Sequence, residues 1–258
     1  MHEFLFGIYP YIALTVLAVG SIARYERDPY TWKSSSSQLL RRKQLIMGSV
    51  LFHVGVLAIF GGHLVGLLTP LAIWDAMGVS HGAKQIIAIV LGGSAGIMML
   101  AGGLMLAHRR MFDERVKASS SLADTSILLM LLAQVFLGLM TIFVSLGHLD
   151  GHEMTKFMAW AGGIFTFDGA AASYIKDVHI LFKLHIFFGL TIFIVFPFTR
   201  LVHVLVVPNM YLWRRPQVVR WNWNRHSIRR VDLGREGTRA MATAGRNHAG
   251  NGDQDPGK

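Results

Sequence analysis

Four histidines stand where histidine is seldom found, inside long apolar stretches. His53 and His63 lie in QLIMGSVLFHVGVLAIFGGHLVGLLT (44–69), and His185 and His203 in VHILFKLHIFFGLTIFIVFPFTRLVHVLVV (178–207). A neutral imidazole carries one N–H and one lone pair, so it can ligate a metal, relay a proton or hydrogen-bond a neighbour. In hydrocarbon it must do one of these. For any one of the four alone, a hydrogen bond to a neighbouring helix is as good an account as ligation. Four in two similar runs ask for a common cause.

Their spacing supplies one. On a helix His53 and His63 are ~15 Å apart along the axis and rotated by ~80°, while His185 and His203, five turns apart, are separated by ~27 Å if the helix is straight. In antiparallel helices His63 meets His185 at one depth and His53 meets His203 at the other. The mean axial spacing is ~21 Å, and tilt or a kink at Pro197 absorbs the mismatch. A flat macrocycle held from both faces, a haem, fits each pair, with Gly55, Gly61, Gly62, Gly66 and Gly189 making room for it. Lys183 and Arg200 are costly inside a membrane helix without a counter-charge, which haem propionates would supply. A proton relay or a metal-ion transporter is the competing reading. It would normally add intramembrane carboxylates, and no acid lies in the interior of these runs.

The elements that must position these residues follow from composition. Of 258 residues 52% are apolar and 16% charged, against roughly 25% charged in soluble domains. The chain reads as an all-α integral membrane protein. Its net charge of +10 would suggest nucleic acid in a soluble chain, but the basic residues sit between and after the apolar runs, so topology explains them and no nucleic-acid partner is expected. With no cysteine, disulfides, thiolate-bound iron–sulfur clusters and covalent c-type haem are excluded. The first stretch, MHEFLFGIYPYIALTVLAVGSIA, has no basic n-region and reads as a retained first helix.

Five apolar runs stand at roughly 4–23, 44–69, 85–107, 124–147 and 178–207. Segment 24–43 holds Arg24, Arg27, Lys33, Arg41, Arg42 and Lys43, and segment 108–123 holds Arg109, Arg110, Arg115 and Lys117; segments 70–84 and 148–177 are poor in basic residues. The positive-inside rule puts the two basic loops in the cytoplasm, hence five spans with the N-terminus outside and the C-terminus inside. The arginine-rich stretch after the last span fits anionic lipid or an acidic partner, and the polar end from Gly245 is expected to be disordered. The small residues of run three (Gly92, Gly93, Gly96, Gly102, Gly103) read as helix packing, Gln134 in run four as interhelical glue, and 148–177 as a lid or short interfacial helix. His179 reads as a boundary residue, His108 as a helix terminus, and His81, His148, His152 and His226 as loop residues with no ligand role.

The segments IYPYIA, RYERDPYTW, SSQLLRRK, LFHVGVLAIFGGHLVGLLTP, KQIIAIVLGGSAG, RRMFDERVKA and FKLHIFFGLTIFIVFPFTRLVHV resemble the gamma-subunit family of respiratory membrane-bound nitrate reductase, a di-haem membrane cytochrome b. The resemblance covers roughly residues 5 to 225 and leaves the tail unexplained. It implies that His63 and His185 bind the iron of an outer haem b and His53 and His203 that of an inner one. It implies, too, a quinol-oxidising site beside the outer haem that includes Lys84 and Gly62. For Lys84 taken alone, a solvated lysine at a helix start is the better reading. The implied activity is oxidation of menaquinol or ubiquinol near the outer face of a bacterial cytoplasmic membrane. Electrons then leave to an iron–sulfur beta subunit and a molybdenum-containing alpha subunit, where nitrate is reduced. Such partners are required chemically, since this chain has neither cysteines nor a soluble catalytic domain. The domain division expected is 1–225 for the five-helix di-haem domain and 226–258 for a cytoplasmic tail. Alternatives are the cytochrome b anchor of another quinone-linked oxidoreductase, or a histidine-lined transporter.

Overall fold

The computed structural model describes residues 1–32, 42–206 and 213. Expectations that fall on 33–41 and on the tail, including its disorder, lie outside these residues. Among the described residues all regular structure is helical, in eight α-helices: α1 (Tyr9–Arg27), α2 (Arg42–Leu68), α3 (Leu71–Ala76), α4 (His81–Phe112), α5 (Glu114–Ala118), α6 (Leu122–Ser145), α7 (His152–Phe165) and α8 (Ile180–Val195). Five helices are long and apolar enough to cross a membrane, over Phe4–Arg27, Lys43–Leu68, His81–Phe112, Leu122–Ser145 and Ile180–Phe198. Large apolar side chains such as Val54, Leu57, Val90, Leu91 and Phe143 lie exposed along them, as contact with lipid tails requires.

Local chemistry sets the boundaries. Pro70 follows α2 and disfavours helix at the preceding residue, and Gly78, at φ 71°, turns the chain before α4. Ser80 caps α4 by accepting from the Ala83 N–H at 3.2 Å, so α4 begins at His81 and takes Lys84 into its first turn. Ser121 and Asp124 form a capping box that starts α6. Segment 148–177 does contain a short helix, α7, followed by a 3₁₀ turn at Ala171–Ile175. These close over Phe6 as a buried cluster with Trp160, Ile164, Ala172 and Ile175, and the Trp160 indole donates to the Phe6 carbonyl at 2.9 Å.

The small residues of run three pack helices, as expected. A Cβ on Gly96 would meet Leu139 Cδ2 at 2.7 Å and one on Gly103 would meet Leu132 Cδ2 at 2.7 Å, joining α4 to α6. Gly102 lets α4 approach the backbone of Gly48 and Phe52 on α2. Thus α2 packs on α4, α4 on α6, α6 on α8, and α8 on α1.

The last run is not one helix. Helix α8 ends at Val195, a 3₁₀ turn covers Phe196–Phe198, Thr199 is extended (φ −118°, ψ −179°), and a second 3₁₀ segment runs over Arg200–Val206. Pro197 has no N–H to offer the preceding turn, and its ring clashes with a continuing helix. The expected kink is therefore a full break.

Candidate functional site

The four histidines come together in two pairs. The rings of His53 on α2 and His203 on the Arg200–Val206 segment have centroids 6.2 Å apart; those of His63 on α2 and His185 on α8 are 6.1 Å apart. The break at Pro197–Thr199 reconciles the ~15 Å between the histidines of α2 with the ~27 Å that a straight helix would place between their partners. Extended contact between α2 and α8 is absent among the described residues, and the ring pairs face one another across that separation.

The ring nitrogens are assigned by their neighbours. A carbonyl can only accept, so Nδ1 carries the proton where it meets one: His53 donates to the Ser49 carbonyl at 2.7 Å, His63 to that of Ile59 at 2.8 Å, and His203 to that of Arg200. Nε2 of each is left with its lone pair, as in histidines whose second nitrogen ligates a metal. At His185, Nδ1 is buried without a hydrogen-bond partner. Two imidazoles on one iron, with metal–nitrogen bonds of about 2 Å and about 1.1 Å from nitrogen to ring centre, have centroids about 6 Å apart. Both pairs meet that requirement. Among the described residues no group of three or more His, Cys, Asp or Glu could hold a metal ion.

The surroundings correct several expectations. Of the glycines read as making room for a macrocycle, Gly55 instead lets α2 approach α4, since a Cβ there would meet Met99 N at 2.6 Å and Ala95 O at 2.7 Å; Gly189 admits Gln134, whose Nε2 would be 3.0 Å from a Cβ. At Gly61, Gly62 and Gly66 a Cβ would meet no heavy atom within 4 Å. Gln134 is interhelical glue as expected, donating to the His185 carbonyl at 3.1 Å. What the sequence reading missed is Gly138 on α6, where a Cβ would sit 3.0 Å from His185 Cε1. The absence of a side chain at Gly138 seats the ring. Arg200 needs no propionate as counter-charge, because its Nε lies 2.9 Å from Asp124 Oδ1. Lys183 reaches the Lys176 carbonyl.

Lys84 is not a solvated helix-start lysine. It is 5% exposed, its Nζ meets the Met158 sulfur and lies 4.7 Å from the centre of the Trp74 ring, and the neighbouring Gln85 is 4% exposed. The Ser80 cap draws the residue into α4, and α3 and α7 cover it. Nearby, His81 Nε2 is 3.4 Å from Asp75 Oδ1. Gly62 precedes His63 on α2, and a Cβ there would meet no heavy atom within 4 Å.

The family model described as nitrate reductase gamma subunit matches residues 2–222. The chain belongs to the nitrate reductase gamma subunit family. It is 44% identical over 220 residues to the respiratory nitrate reductase 1 gamma chain of Escherichia coli, covering 85% of this chain and 97% of that one. Identity with the respiratory nitrate reductase 2 gamma chain of the same organism is 46%, with the same coverage. The nitrate reductase gamma chain of Bacillus subtilis is 39% identical over 218 residues, 84% of this chain and 97% of the relative. This gamma subunit is accordingly a multi-pass membrane subunit of an oxidoreductase complex, associating with other nitrate reductase subunits.

Proposed function

We propose that this gamma subunit is the quinol-oxidising, di-haem cytochrome b of a respiratory nitrate reductase, with His53 and His203 holding the iron of one haem b and His63 and His185 that of the other. The observation that carries the reading is the facing of two imidazole pairs at 6.2 and 6.1 Å. Haem b, when bound, supplies one-electron carriers at two depths between quinol and the partner subunits. The chain's own part is to fix His53, His63 and His203 by a carbonyl at Nδ1, which leaves Nε2 of each with its lone pair, and to hold His185 through its backbone carbonyl by Gln134 and against Gly138.

At the quinol site, Lys84 and Gly62 lie toward the end of the bundle where His63 and His185 face each other. The Lys84 ammonium donates a hydrogen bond to a quinone oxygen and stabilises the negative charge that develops as the quinol O–H is deprotonated. Trp74 and Met158 shelter it from water, which strengthens that interaction. Two electrons and two protons leave each menaquinol or ubiquinol, and the protons go to the outer side. The distribution of basic residues supports an N-terminus outside and a C-terminus inside. An iron–sulfur beta subunit and a molybdenum-containing alpha subunit then dock on the cytoplasmic face of a bacterial inner membrane, and nitrate is reduced there. Residues 1–225 form the membrane domain in this reading, and 226–258 a basic to polar tail.

A redox titration of membranes containing the complex, with haem quantified per chain, tests the reading. Two low-spin b haems are expected, and His63→Ala or His185→Ala should each remove the same one and spare the one lost with His203→Ala. Absence of b-type bands would overturn the proposal in favour of a transporter. Loss of the same haem from His63→Ala and His203→Ala would overturn the pairing.

A further inference from the structure

We propose that Arg24 is the positioning residue that holds His203 opposite His53. The break after α8 leaves peptide carbonyls without the helical donors they would otherwise have, and in a water-poor setting such groups must be satisfied. Arg24, in the last turn of α1, supplies the donors. Its Nη1 donates to the Pro197 carbonyl at 2.7 Å and to the Thr199 carbonyl at 2.8 Å. The same guanidinium donates from Nε to Thr31 Oγ1 at 3.3 Å and from Nη2 to the Thr31 carbonyl at 3.2 Å. Thr31 is itself tied down, its hydroxyl donating to the Asp28 carbonyl at 2.9 Å. One planar fork thus joins the turn after α1 to both sides of the break, which the compact ammonium of lysine cannot reproduce.

The grip extends to the imidazole in two steps. The Thr199 carbonyl is held by Arg24, and the next carbonyl along the chain, that of Arg200, accepts from His203 Nδ1. Val202, between them, is fully buried, so the segment has little freedom to adjust once its first peptide is fixed. One turn before Arg24, Gly20 admits Pro197, whose Cγ would lie 2.9 Å from a Cβ there. Close approach of α1 at Gly20 brings the guanidinium within reach. Arg200, paired with Asp124, anchors the segment from another side. Counted only as a basic residue beside a span, Arg24 marks orientation; its hydrogen bonds assign it a second task.

The clamp stands on geometry alone, whereas its effect on a haem rests on the di-haem reading, and the experiment separates the two. The purified complex carrying Arg24→Ala, Arg24→Lys, or Arg27→Ala as control is compared with the parent by hydrogen–deuterium exchange of 197–206 and by redox-titrated spectra of each haem. Arg24→Ala should speed exchange in 197–206 about ten- to hundredfold, the loss expected for one or two hydrogen bonds to a charged donor. It should also remove or shift in potential the haem that His203→Ala abolishes, and leave the haem that His63→Ala abolishes unchanged. Arg24→Lys should fall between the two, and carries the test if the alanine variant does not assemble. Unchanged exchange in 197–206, or an unchanged band and potential for the His203-dependent haem, overturns the proposal. If the parent complex holds no haem, the di-haem reading fails and the exchange result alone decides whether the clamp exists.

Discussion

Adding a single methyl group at Gly138 should disturb one of the two histidine pairs and leave the other alone. A Cβ at that position would lie 3.0 Å from Cε1 of His185, 3.6 Å from Nδ1 and 3.8 Å from Nε2. Carbon atoms in ordinary contact stand about 3.5–4.0 Å apart, so the ring must move by roughly half an ångström to one ångström. It cannot do so freely, because the His185 backbone is tied to Gln134 and the facing ring of His63 is already 6.1 Å away. Overpacking of this kind costs about 1–3 kcal/mol. If all of it falls on ligation, Gly138→Ala weakens haem retention at the His63–His185 pair by about 5- to 150-fold. The assay is haem per chain and redox-titrated spectra in membranes, with the His53–His203 haem as internal standard. Gly92→Ala is the external control, since a Cβ at Gly92 meets nothing within 4 Å. Indistinguishable spectra, potentials and haem contents for Gly138→Ala and Gly92→Ala would refute the claim that Gly138 seats the ring.

Two further outcomes are expected. Lys84→Met keeps an unbranched apolar stem while removing the ammonium that lies over Trp74 and meets Met158, so quinol-dependent nitrate reduction should fall by about a hundredfold. Both haems, and activity with an artificial cytoplasmic-side donor, should persist; unaltered quinol turnover and inhibitor binding would place the donor elsewhere around the His63–His185 pair. For orientation, a reporter fused after Arg239 should read cytoplasm and one within 148–177 the outer side, and reversal of both would defeat the charge-count argument.

The five membrane-length helices and the pairing partners of the four histidines were legible because both rest on periodicity and length, which sequence states directly. Helix ends were less so: run three was expected to open near Gln85, but Ser80 supplies a cap and moves the start to His81, and that shift helps turn Lys84 from a solvated residue into a buried one. Glycines carry no side chain to signal their task. Gly55 and Gly189 looked like space for a macrocycle and serve α4 and Gln134 instead, while Gly138, on a helix without intramembrane histidine, gave no sign of its contact with His185. The break at Thr199 was foreshadowed by Pro197, yet its extent depends on Arg24 donating from a helix some 170 positions earlier in the chain. Asp124 was read as the start of a run, and its pairing with Arg200 is a tertiary contact with no local signature.

Both pairs have one member on α2, which is unbroken from Arg42 to Leu68, whereas their partners ride on two pieces of chain joined at Thr199. Helix α2 is therefore the gauge of the assembly: the distance and the relative azimuth of the two imidazole pairs are properties of the ten residue steps from His53 to His63 and their helical pitch. One residue inserted between His53 and His63 would swing one imidazole by about 100° relative to the other, a misalignment that the opposite side could not follow at both levels. A change of length near Thr199 falls instead in a stretch that has already left the helical register. In the di-haem reading the spacing of the two carriers is thus written into one continuous helix, and the tolerance for fitting is confined to a joint on the other side.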